Sequence, residues 1–169
     1  MTMRGLARLF LATPLAVFAQ ATDPNLANFG WFAELRGACW RGEHPDRKTT
    51  DTQCYSTQYD RLLRGTIKVT IEREGGVPNS FEGDSVYAFD PARKVVVFTQ
   101  WGSNGSYGTG QMVVEGQALR FTNRLPDGSE SRTRSVWRRV DADTYRVTRE
   151  RREGDGWKAS FEVEYRRAR

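Results

Sequence analysis

From residue 36 to the end of the chain, apolar and polar residues alternate with a period of two, broken at short intervals by Gly, Pro, Asn and Asp. Alternation of this kind predicts half-buried strands, and the breaks predict hairpin turns. The first two strands, 36–44 and 49–57, flank Pro45-Asp46-Arg47-Lys48. The next, 62–73, carries Leu63, Ile67, Val69 and Ile71 on one face and stops at 74–79. Strand 81–89 sets Phe81, Gly83, Ser85, Tyr87 and Phe89 against Glu82 and Asp84. Strands 95–101, 109–114, 118–123, 130–140 and 144–152 follow, separated by turn residues. The last, 157–167, is the most regular: Trp157, Ala159, Phe161, Val163 and Tyr165 alternate with charged and small polar residues. About ten short antiparallel strands result, with no helical pattern between them, so parallel βαβ units are excluded. A meander of this length is expected to curl, and closing it into an up-and-down β-barrel removes both sheet edges. A two-sheet sandwich is the alternative; it would call for long crossing connections, and none is visible.

Two segments precede the alternation. Asp23-Pro24-Asn25 offers an N-cap with proline at the first helical position, and Leu26, Phe29 and Phe32 or Ala33 recur at helical spacing. A short helix to Gly30 or a little beyond is predicted, its apolar side suited to closing one barrel end. Farther upstream, Arg4 and Arg8 precede an apolar run at 9–18 and the small-residue site Ala19-Gln20-Ala21. This is the pattern of a cleaved signal peptide over 1–21, leaving a mature domain 22–169. The run is short for a bilayer span and contains Pro14, so no membrane anchor is expected. A periplasmic or secreted bacterial protein is the expected setting.

Charge adds little to this picture. The net charge of +5 falls to about +3 when Arg4 and Arg8 leave with the leader, which contains no acid. The remaining arginines are scattered among Glu and Asp rather than gathered on one surface, so nucleic acid is not an expected partner.

Cys39 and Cys54 are the only cysteines. In a hairpin centred on the Pro45–Lys48 turn, facing residue numbers sum to a constant, and the two cysteines satisfy it. An exported chain meets an oxidising compartment, so a structural Cys39–Cys54 disulfide is predicted. Two cysteines without a nearby His pair cannot complete a zinc shell, and no metal or cofactor is expected.

The remaining candidates for chemistry are sparse. His44, the only histidine, lies beside the first turn and reads as solvent-exposed, so no hydrolytic triad can be assembled. Glu82 with Asp84, and Glu162 with Glu164, share faces opposite the aromatic ones and read as solvated charge. The glycine-rich run 102–110 lacks the Lys and following helix of a phosphate loop and reads as a hairpin tip that could gate a barrel mouth. Alternation assigns Tyr87, Phe89, Trp101, Phe121, Trp137, Trp157, Phe161 and Tyr165 inward, where they either fill a solid core or line a cavity. On strand 131–139, Thr133, Ser135 and Trp137 share one face and Arg132, Arg134, Val136 and Arg138 the other. Which of the two points inward is not fixed by the pattern.

The segment Leu35-Arg36-Gly37-Ala38-Cys39-Trp40-Arg41-Gly42 after a short helix resembles the Gly-x-Trp first-strand motif of the calycin group, which includes lipocalins, fatty-acid-binding proteins and nitrobindin-like barrels. Gly37 precedes Trp40 by three residues where that motif has two. The stretch 84–90, then Trp101, Trp137 and Gly156-Trp157-Lys158, is similar to secreted lipocalin-like domains. The resemblance implies a barrel with Trp40 near its closed end and a cavity for a small apolar molecule. Nitrobindin-like members hold haem through a His in later strands; this chain has none there, so haem is not carried over, and Met112 reads as core filling. The expectation is a binding module for a small hydrophobic or amphiphilic ligand, using Tyr87, Trp101, Trp137 and Phe161 with Arg134 as a polar contact. An isomerase or lyase of the same architecture needs a buried acid or Tyr with a displaced pKa in the lumen. A solid-core interaction domain is the third possibility.

Overall fold

A computed structural model describes residues 24–125 and 127–169. The signal-peptide reading and Asp23 lie outside the described residues. Ten antiparallel strands form a closed barrel in which each pairs with its sequence neighbours and the last returns to the first. They are β1 (Ala38–Glu43), β2 (Thr49–Gln58), β3 (Leu62–Ile71), β4 (Asn79–Asp90), β5 (Val95–Gly102), β6 (Tyr107–Glu115), β7 (Ala118–Arg124), β8 (Glu130–Arg139), β9 (Thr144–Glu153) and β10 (Gly156–Arg167). The closing seam is short, with Trp40, Arg41 and Gly42 facing Arg167, Arg166 and Tyr165. Gly42 is required there: a Cβ would lie 2.6 Å from the Val163 side chain and 2.9 Å from the Tyr165 ring.

Local chemistry explains the turns. Asp46 accepts hydrogen bonds from the backbone N–H groups of Lys48 and Thr49 and from the Thr49 hydroxyl, closing the first hairpin. Asp90 and Asp127 do the same for the turns after β4 and β7. Cys39 faces Cys54 in register, and the two are disulfide-bonded on the outer, half-buried face of the hairpin.

The N-terminal segment forms a 3₁₀ helix, Pro24–Leu35, rather than an α-helix. It bends at Gly30, whose φ of 56° with ψ of −147° is open essentially to glycine alone. The bend lets both halves turn apolar residues into the barrel: Leu26, Phe29, Phe32 and Ala33 are fully buried. Trp31 donates to the Gln117 carbonyl and Trp40 to the Leu35 carbonyl, fixing the segment across one barrel end. Around it pack Leu63, Val96, Met112, Leu119 and Tyr145, so this half of the barrel is solid. Among the described residues no helix is long and apolar enough to cross a membrane.

Candidate functional site

Above the plug the interior is hollow. A cavity of about 550 Å3 occupies the other half of the barrel and opens among the hairpins. Its floor is aromatic. Phe32 stands on the barrel axis with Tyr55, Tyr87, Phe121 and Trp137 edge-on around it, ring centroids 4.9 to 5.8 Å away. Edge-to-face contact between rings is favourable beyond the area buried, so the floor is well determined. Phe98, Val147 and Val163 extend the apolar lining upward.

The walls above the floor are polar. On β2, alternation from Tyr55 through Gln53 brings Asp51 inward, only 5% exposed. The Tyr165 hydroxyl donates to Asp51 Oδ2 at 2.6 Å, Gln53 Nε2 donates to the same oxygen, and Tyr55 donates to Gln53 Oε1. Asp51 Oδ1 remains buried without a hydrogen-bond partner among the described residues. Burial raises the Asp51 carboxyl above the usual carboxylate range, while bonds from Tyr165 and Gln53 and the nearby His44 oppose the rise. Burial also pushes the Tyr55, Tyr87, Tyr145 and Tyr165 hydroxyls above the ordinary phenol range, so each stays protonated and able to donate.

On β9, Tyr145 and Val147 face inward, and the next position of that parity is Arg149. It lies opposite Ser135 on β8 and Phe161 on β10. One of its guanidinium nitrogens donates to Thr133 Oγ1 at 3.4 Å, and no carboxylate among the described residues pairs with it. Burial lowers its pKa from the ordinary arginine value, yet a guanidinium keeps its charge at neutral pH. His44, just beyond the end of β1, and Phe161 on β10 place their rings 5.5 Å apart, and β1 and β10 are the strands between those of Asp51 and Arg149.

The expected site residues divide. Tyr87, Trp137 and Phe161 line the cavity together, Phe161 remaining 40% exposed at the mouth. Trp101 does not join them. Val96, Phe98 and Gln100 take the inward parity of β5, so Trp101 projects outward, 48% exposed, beside Tyr107. Arg134 is also outside: it pairs with Glu150 at 2.6 Å and lies over the Trp157 ring at 4.2 Å. The face of β8 that points inward is therefore that of Thr133, Ser135 and Trp137, with the Trp137 indole donating to Ser135. Trp157, which alternation places inward, lies outward because β10 carries a bulge between Ala159 and Phe161 that reverses the parity of the residues before it. His44 is half-buried on the cavity wall rather than free in solvent, its Nε2 buried without a hydrogen-bond partner among the described residues.

Alternation missed Arg149 and Asp51 for different reasons. Arg149 sits in the charged run Arg149-Glu150-Arg151-Arg152, where polarity carries no face information, although counting from Tyr145 would have found it. Asp51 lies two residues before Gln53 in a strand of Thr, Asp and Gln that reads as solvated. The chain matches no family model and no curated protein.

Proposed function

We propose that this chain is an exported, calycin-like binding protein that holds a small amphiphilic molecule in the barrel cavity without altering it. The observation that carries the reading is the pairing of a solid, plugged half with a hollow half of about 550 Å3, within the size range of pockets for small molecules. A barrel stabilised only for its own sake would gain by filling that space with side chains. Its aromatic floor suits an apolar body, and the polar walls suit a group that stays near water. The disulfide fits an oxidising compartment, and mass spectrometry of material from the producing cell should find the mature N-terminus near Thr22.

Nile red tests the binding reading. Saturable one-to-one binding with blue-shifted emission is expected, and Gln100→Trp, which places a ring on the cavity wall near the mouth, should weaken it several-fold at unchanged thermal midpoint. Unsaturable partitioning, indifferent to that substitution, would defeat the reading.

One observation favours a second reading, an isomerase or lyase. Asp51 is a buried lumen acid with a raised pKa and an unpartnered oxygen, the combination a general acid or base requires. Time-dependent conversion of a bound compound by the native chain, absent in Asp51→Asn, would replace binding with catalysis.

A further inference from the structure

The half-buried ion pair Arg134–Glu150 lies on the outer surface of the barrel; the lumen follows a different rule. Arg134 and Arg149 sit on adjacent strands and nearly the same level, yet Arg134 faces out and holds Glu150 at 2.6 Å, whereas Arg149 faces in and holds only a hydroxyl. Arg149 is the one Lys or Arg lining the cavity among the described residues. Desolvating a guanidinium without an anionic partner is costly, and the fold had a carboxylate within the same cavity to offset it. Asp51 does not serve. It is three strands away around the wall, with the rings of His44, just past β1, and Phe161, on β10, near that path, and it accepts its hydrogen bonds from Tyr165 and Gln53.

From this we infer that the molecule bound in the cavity is a monoanion, a carboxylate whose charged group pairs with Arg149 while its apolar body rests on the aromatic floor. The inference rests on the binding reading above and assigns its ligand class. Arg149 presents a planar fork that matches a carboxylate. Thr133 Oγ1 holds that fork from one side. Ser135, directly opposite on β8, already accepts from the Trp137 indole, which leaves its own hydroxyl proton to donate to the same anion. A single cation with an acid elsewhere in the cavity suits one negative charge rather than two, and the wall carrying Asp51 turns the anion toward β9.

The experiment compares cinnamate, cinnamamide and methyl cinnamate as displacers of Nile red from the purified chain. The acid is expected to displace the dye at about ten- to a hundredfold lower concentration than either neutral analogue, the range for a hydrogen-bonded charge pair. Arg149→Gln should abolish that advantage, so that acid and amide displace the dye at similar concentrations. Arg149→Lys should keep most of it, and Arg134→Gln should keep all of it. Equal displacement by acid and amide overturns the anion assignment while the cavity reading stands. A preference for the acid that survives Arg149→Gln overturns the role of Arg149. Failure of Nile red to bind a chain whose near-ultraviolet circular dichroism is native overturns both.

Discussion

Asp51 carries the clearest pH signature of any single residue in the barrel. Its folded carboxyl sits above the ordinary value of 3.8, with burial as the main cause. Between the unfolded and folded values the native chain therefore retains a proton that the unfolded chain has released, so raising the pH through that window lowers stability. The turn carboxylates Asp46, Asp90 and Asp127 act in the opposite sense: their hydrogen bonds lower their pKa, and their contribution is lost as pH falls through the folded values. The total profile mixes the two, but Asp51→Asn separates them, because asparagine keeps an acceptor for Tyr165. The thermal midpoint of Asp51→Asn relative to the native chain should rise as the pH is raised from about 3 through the interval just above the ordinary value of 3.8. The cavity tyrosines and Arg149 hold constant charge over that interval. A difference that does not change with pH would show that Asp51 titrates like an exposed carboxyl.

At the scale of elements, β1 is the critical strand, since it closes the barrel through only three register pairs to β10. The Cys39–Cys54 bond ties it to β2 across a sequence separation of 15. Closing so short a loop restricts the unfolded chain by about 3 kcal/mol in the chain-entropy model. Cys39→Ala with Cys54→Ala should lower unfolding stability by about that amount in urea, and Nile red binding should persist, because both sulfurs lie on the outer face. Binding lost in proportion to stability would mean that the bond shapes the cavity instead. That pairing was readable because a hairpin register is arithmetic. Ten strands and their order were readable for the same reason, each turn being marked by Gly, Pro, Asn or Asp. Parity was harder. Val95-Val96-Val97-Phe98 is apolar on both faces, so alternation could not place Trp101, and only the packing of Val96 and Phe98 decides it. The β10 bulge leaves no mark in composition, so unbroken alternation carries Trp157 inward although the residues before the bulge have the opposite parity. The 3₁₀ geometry of the plug was likewise hidden, because Gly30 resembles a helix end and acts as a hinge.

Considered whole, the molecule is two compartments in one barrel, and Phe32 is the partition between them. Its ring is fully buried behind the cavity lining, and four aromatic rings that do line the cavity pack against it. Those four rings come from two separate arcs of the wall, β2 with β4 and β7 with β8, so a single side chain from the N-terminal segment sets the depth of a pocket built by the strands. Truncating a buried Phe costs about 3–5 kcal/mol, through lost transfer energy and the void left behind. In most cores that void is a defect; here it would join the cavity. Phe32→Ala should therefore show that loss in urea denaturation and also extend the preferred neutral 1-alkanol to longer chains. Alkanols carry no charge, so the shift is independent of Arg149. Loss of stability with an unchanged chain-length optimum would place the floor elsewhere and leave Phe32 as core packing alone.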